Sequence, residues 1–223
     1  MKVVGLTMAV LLALTTGVHA KSPHSLVNDA AVVLREIAEQ PDNAPLKYLL
    51  NNAHGVAIFP EVIRVGLGLG GRYGEGLLLR RDPVTNSWYG PYFIDIKGLS
   101  YGFQVGIQST SLVLVITNER GLTNLRDGTV TLGGSMSVAA GPVGRSAEAA
   151  TDIDLEASIY SYSISRGVFA GLSLEGAVIS SNTGSNRVYW QAELTPEEIL
   201  EKEVDTLEAV SLVEAIMGIM QEK

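Results

Sequence analysis

Four arginines stand among glycines or uncharged residues: Arg64, Arg72, Arg145 and Arg166. The planar donor fork of arginine can hold a phosphate bidentately, so these positions are candidates for anion recognition. Ion pairing to the surplus acids of the chain is the alternative for each one. Asp152, Asp154 and Glu156 alternate with Ile153 and Leu155 and share one face of a strand. Carboxylate oxygens suit Ca2+, but a straight strand spreads these three over roughly 13 Å, and a solvated polar face is the simpler reading. Gly66-Leu67-Gly68-Leu69-Gly70-Gly71 has the G-x-G-x-x-G spacing of a dinucleotide loop, which must open a helix after a strand. Here Gly74, Gly76 and Leu77-Leu78-Leu79 continue a strand, so a curved, glycine-relieved strand is expected. His54 lies just before an apolar strand and reads as a strand-edge residue. No G-x-S-x-G elbow occurs, and no compact acid–base set can be assembled. The chain is therefore expected to be no enzyme, with no metal and no cofactor.

These residues need elements to position them. Ile159 to Ser165 alternates large and small residues as a half-buried strand does, and Gly167, Gly171 and Gly176 follow it. Arg166 is the only formal cation between Arg145 and Arg187. Tyr160, Tyr162 and Phe169 are candidates for an apolar wall beside the arginines, since an aromatic ring offers a flat body and tyrosine a polar tip. Of 24 glycines, 21 fall between Gly55 and Gly184, where strand-like runs follow one another. Ser111 to Thr117 is apolar on both faces, as a central, doubly covered strand is. Asn182-Thr183-Gly184 is turn chemistry.

Helices are expected at both ends. Ser22-Pro23 can cap a helix running to Gln40, with a short second helix at about Pro45–Asn52. Thr195-Pro196-Glu197-Glu198 is a capping box opening a helix to about Met220. The fold class is α+β: a curved antiparallel β-sheet or partial barrel, flanked by N-terminal and C-terminal helices.

Bulk composition narrows the function. Lys2, the apolar run Val3–Leu14 and Val18-His19-Ala20 form a secretory signal pattern, with cleavage expected after Ala20. Residues 21–223 then make one domain, expected to be periplasmic or secreted. There is no cysteine, hence no disulfide, thiolate metal site or thiol nucleophile. A secreted chain without disulfides suits the bacterial periplasm. The net charge of −8 opposes nucleic acid as a partner, because phosphate binding needs clustered cations.

Several spaced motifs resemble the SYLF domain family, a lipid- and phosphoinositide-associated module. They are Ala53-His54-Gly55-Val56-Ala57-Ile58-Phe59-Pro60, Gly70-Gly71-Arg72-Tyr73-Gly74, Trp88-Tyr89-Gly90-Pro91 and Gly102-Phe103-Gln104-Val105-Gly106. Further on come Ala139-Ala140-Gly141-Pro142-Val143-Gly144-Arg145, Tyr160-Ser161-Tyr162-Ser163, Arg166-Gly167-Val168-Phe169-Ala170-Gly171 and Leu174-Glu175-Gly176-Ala177. The likeness spans about residues 45–190 and implies a non-catalytic, membrane-associated lipid-binding domain. Arg72, Arg145 and Arg166 fall inside its motifs and are the headgroup candidates, with phospholipid or another anionic amphiphile as ligand. The resemblance also brings actin-bundling relatives with basic regions. This chain is acidic and its leading helix lacks a cationic face, so actin is not expected among its partners. The alternative is an envelope structural or protein-interaction module acting through the C-terminal helix, with self-association. An outer-membrane barrel is opposed by the acidic terminal helix and uneven strand spacing.

Overall fold

A computed structural model describes residues 21–39, 44–140, 157–166, 174 and 176–221. The signal pattern, the Asp152–Glu156 carboxylates, Arg145 and Phe169 lie outside them. Helix α1 (Pro23–Ala38) starts as expected, with the Ser22 side chain accepting from the Ser25 amide. Helix α2 (Ala44–Asn51) follows.

The centre is a ribbon of two long antiparallel strands, β1 (Gly55–Arg81) and β2 (Trp88–Ile116). The separate short strands expected over this stretch are joined. The hairpin loop is organised by Asp82, whose carboxylate accepts from the Val84 and Thr85 amides at 2.8 and 3.2 Å and is held below the usual carboxylate range by those bonds.

The ribbon then doubles back on itself. The Arg81 amide donates to the His54 carbonyl at 2.9 Å. A Cβ on Gly55, Gly76 or Gly74 would lie 2.8, 2.5 or 2.7 Å from the carbonyl oxygens of Leu79, Ile58 and Glu61 respectively. The first and last thirds of β1 thus run side by side in antiparallel sense, with glycine admitting the close approach. The Phe59 ring lies over Gly76, filling the space a side chain would take.

Shorter elements extend the sheet from the other edge of β2. Helix α3 (Glu119–Arg126), β3 (Val130–Thr131), β4 (Val138–Ala140), β5 (Ile159–Arg166) and β6 (Val178–Ser181) follow in chain order. β6 pairs with Ile94–Lys97 of β2 and β5 with Ser109–Ile116. β3 joins β6 and β4 joins β5. Counting the doubled ribbon as four limbs, the sheet curls into a half-barrel. It is antiparallel except where β4 runs parallel to β5.

Alternation along the strands feeds two cores. Val56, Ile58, Leu77, Leu79, Phe93, Val113 and Val115 meet α1, α2 and a terminal helix, α6 (Leu207–Gln221). Ala57, Phe59, Val62, Leu78, Ile94, Leu112 and Leu114 meet α3 and the connections beyond it. The segment Ser111–Thr117 is doubly covered, as its composition implies.

Two expectations change. Asn182-Thr183-Gly184 is no turn: Asn182 caps helix α4 (Thr183–Trp190), its side chain accepting from the Ser185 amide at 3.0 Å. The C-terminal helix is also broken. The capping box opens only α5 (Pro196–Leu200), and α6 begins after a gap. In that gap the Lys202 carbonyl accepts from the Gly90 amide and Glu203 bridges Tyr89, so pairing to β2 displaces helical hydrogen bonds.

Asn186 of α4 completes the edge of β2. Its Oδ1 accepts from the Phe93 amide at 2.8 Å and its Nδ2 donates to the Phe93 carbonyl at 2.9 Å. Asn186→Ala strands the buried Phe93 amide, while the Phe93 carbonyl keeps the Asn182 amide at 3.0 Å, and is expected to cost about 1–3 kcal/mol. Urea denaturation of Asn186→Ala beside Asn186→Asp checks this: the carboxylate keeps the acceptor but sets its second oxygen against the Phe93 carbonyl, so it should not rescue.

Candidate functional site

The arginines converge only in part. Arg64 and Arg72 sit on β1 in the stretch where the ribbon bends, paired with Gln108 and Gly98 of β2. By strand alternation both lie on the face of Val62, Leu78 and Ile96. Arg72 is 6% exposed. Its stem lies flat across Gly98, where an added Cβ would come within 3.1–3.3 Å of Arg72 Nε, Cδ and Cγ. Burial, and then the neighbouring charge of Arg64, pull the Arg72 pKa below the ordinary guanidinium value. Two like charges thus share one face.

The charge around them is uneven. Residues 62–74 and 96–118 contain Arg64, Arg72 and Lys97 and no Asp or Glu, in a chain of net charge −8. Lys97 leans back to Asp95 at 3.0 Å and over the Tyr73 ring at 5.7 Å. Acids are frequent from Glu193 to Glu208, where Lys202 and Glu203 meet Gly90 and Tyr89, and some are paired: Glu193 with Arg187, Glu197 with Arg126 and Glu208 with His24. The bend therefore carries a local cluster of cations bordered by Glu61, Glu75 and Asp95.

Arg166 ends β5, where its backbone pairs with Ser109, one residue from the partner of Arg64. This places its backbone near Arg64 across β2. The aromatic candidates are not beside these arginines. Tyr160 and Tyr162 point into the helix-covered core with Val113 and Val115, the opposite face from Arg72, and are 7% and 8% exposed. The Tyr162 hydroxyl makes no hydrogen bond, and burial pushes its pKa up. The alternation that marks β5 as a strand cannot say which layer covers which face.

Other polar residues take structural parts. His54 Nδ1 lies 3.2 Å from Glu119 Oε2, an ion-pair geometry that sequence distance hides. Gly66–Gly71 runs within β1 and opens no helix. A cleft of about 260 Å3 lies between α1 and the Pro60–Glu61 bulge, and its Lys21 is tied to Asp29 at 2.6 Å. That volume is below the usual range for an organic ligand. No helix among the described residues is long and apolar enough to cross a membrane.

A doubled-back glycine ribbon with buried and half-buried arginines at its bend, closed by helices on one face, defines an α+β half-barrel class of domain. A profile described as "Ysc84: Las17-binding protein actin regulator" matches residues 97–219, from the bend of β2 through α6. The chain belongs to this Ysc84, or SYLF, family. It is 35% identical over 177 residues to the cattle "SH3 domain-containing YSC84-like protein 1" (Bos taurus), covering 77% of this chain and 51% of the relative. It is 36% identical over 182 residues to the Xenopus laevis protein of the same name, covering 78% and 54%. It is 34% identical over 195 residues to "Protein YSC84" of Saccharomyces cerevisiae, covering 82% and 41%. The chain spans about half the length of the curated relatives it matches. One expectation is overturned here. Net acidity set actin aside, yet the matching family carries the actin-regulator description. Net charge is a sum over the whole chain, and a local cationic bend coexists with it.

Proposed function

We propose that this chain is a non-catalytic binding module of the Ysc84 family that recognises anionic lipid headgroups through Arg64 and Arg72. The observation that carries this is the pair of guanidinium groups on one face of a stretch without acids. Arg166 is a third candidate, from its backbone position beside Ser109. Export to a bacterial envelope after cleavage at Ala20 remains part of the proposal, supported by the N-terminal pattern.

Co-sedimentation with vesicles tests the reading. Protein purified from its host, its N-terminus read by intact mass, should pellet with phosphatidylglycerol-containing vesicles at low salt and less at physiological salt. It should pellet poorly with phosphatidylcholine alone. Arg72→Met should lower anionic-vesicle binding about tenfold, the worth of one charge-assisted phosphate contact, without lowering the thermal midpoint. Methionine keeps the apolar stem that packs across Gly98, so the midpoint should hold. Loss of both binding and stability would assign Arg72 a structural role.

A second reading is favoured by the comparisons: an actin-regulatory protein partner, as the family description and the yeast relative's name imply. Co-sedimentation with actin filaments without vesicles tests it.

A further inference from the structure

The face of the ribbon opposite Arg64 and Arg72 carries three exposed apolar side chains beside the bend. Leu99 is 76% exposed, Ile107 72% and Val65 42%. Val65 and Ile107 are direct cross-strand partners, and Leu99 pairs with Gly71. All three lie on the face that α1, α2 and α6 cover farther along the strands. Scattered apolar residues are ordinary on a surface, but three on one strand-pair face form a patch. From the bend to the hairpin loop the limb runs up to about 30 Å at the strand rise. Arg64 and Arg72 on one face of the bend, with exposed apolar side chains and Lys97 on the other, suit an anionic bilayer. The cations meet the headgroups, and the exposed apolar groups reach the layer beneath them.

We propose that Leu99, Ile107 and Val65 form an insertion crest that enters the apolar layer of an anionic membrane when the ribbon bend docks. This rests on the lipid reading above and adds penetration of the bilayer to headgroup contact. It also predicts orientation: the bend goes down and the Asp82–Ser87 loop stays out.

The absence of cysteine makes the test direct. Single Leu99→Cys, Ile107→Cys and Val84→Cys variants carry an environment-sensitive fluorophore; Val84 is 88% exposed in the hairpin loop. With phosphatidylglycerol–phosphatidylcholine vesicles containing acyl-chain quencher, labels at 99 and 107 should be quenched and the label at 84 should not. A Leu99→Ser/Ile107→Ser double variant changes only exposed side chains. It should keep the wild-type thermal midpoint and lose at least ~tenfold in vesicle partitioning, most clearly at high salt. Pelleting of the unmodified protein with labels 99 and 107 still in water overturns insertion and leaves the headgroup reading standing. No pelleting of the unmodified protein sinks both. Shielding of both labels by actin filaments, with vesicles without effect, overturns insertion and makes the crest a protein-binding face.

Discussion

Gly76→Ala is expected to destabilise the chain by about 3–5 kcal/mol, a large part of the net stability of a domain. The added methyl would lie 2.4 Å from Phe59 Cδ1 and 2.5 Å from the Ile58 carbonyl oxygen. A ring can rotate, but the carbonyl belongs to the opposite limb of the same strand and is locked in the sheet. Relief requires the two limbs of β1 to separate, which opens the sheet where Ile58, Phe59, Leu77 and Leu78 are fully buried. Gly218→Ala is the matched control. Nothing lies within 4 Å of a Cβ there, and Gly218 is inside α6. Alanine gains up to about 1 kcal/mol over glycine in a helix interior. The same chemical change should therefore lower the urea midpoint at 76 and hold or raise it at 218. Equal midpoints for the two variants would refute the doubled-back ribbon.

Glycine spacing shows in the sequence that the strand must be curved, and the unbroken apolar run Leu112 to Ile116 shows that it is covered on both sides. The doubling back of one strand on itself depends on contacts between residues about twenty positions apart, such as Gly55 with Leu79. No local pattern encodes that pairing. Asn182 is a case of shared chemistry: asparagine and glycine serve turns and helix caps alike, and only the docking of Asn186 onto Phe93 selects the helix. The capping box at Thr195 is legible because it is local, whereas the break after Leu200 is imposed by β2. At the candidate site, Arg72 stood out by type and surroundings. The exposed crest did not, because Leu99 and Ile107 read as strand interior until the end of the helical layer is known.

Arg81 shows the same limit most plainly and carries the second large effect. It is 5% exposed at the end of β1. Nη1 donates to the carbonyls of Leu50, Asn51 and Ala53 at 3.4, 2.8 and 3.2 Å, and Nη2 donates to Asn86 Oδ1. One guanidinium thus closes the C-terminal end of α2, where carbonyls lack helical partners and the dipole favours a cation. It also ties that end to the hairpin loop, where Asn86 holds φ +60°. Burial lowers the Arg81 pKa, so desolvation offsets part of this gain. Arg81→Ala removes the donors and leaves a cavity beside buried carbonyls, at an expected cost of about 3–4 kcal/mol. Arg81→Lys keeps the charge without the fork and should recover less than half of the loss. Hydrogen exchange separates this from a general loosening. The amides of α2 and residues 53–55 should lose protection in Arg81→Lys while those of α6 keep theirs. Uniform loss across both helices would mean that the guanidinium supports the whole core and not the end of α2.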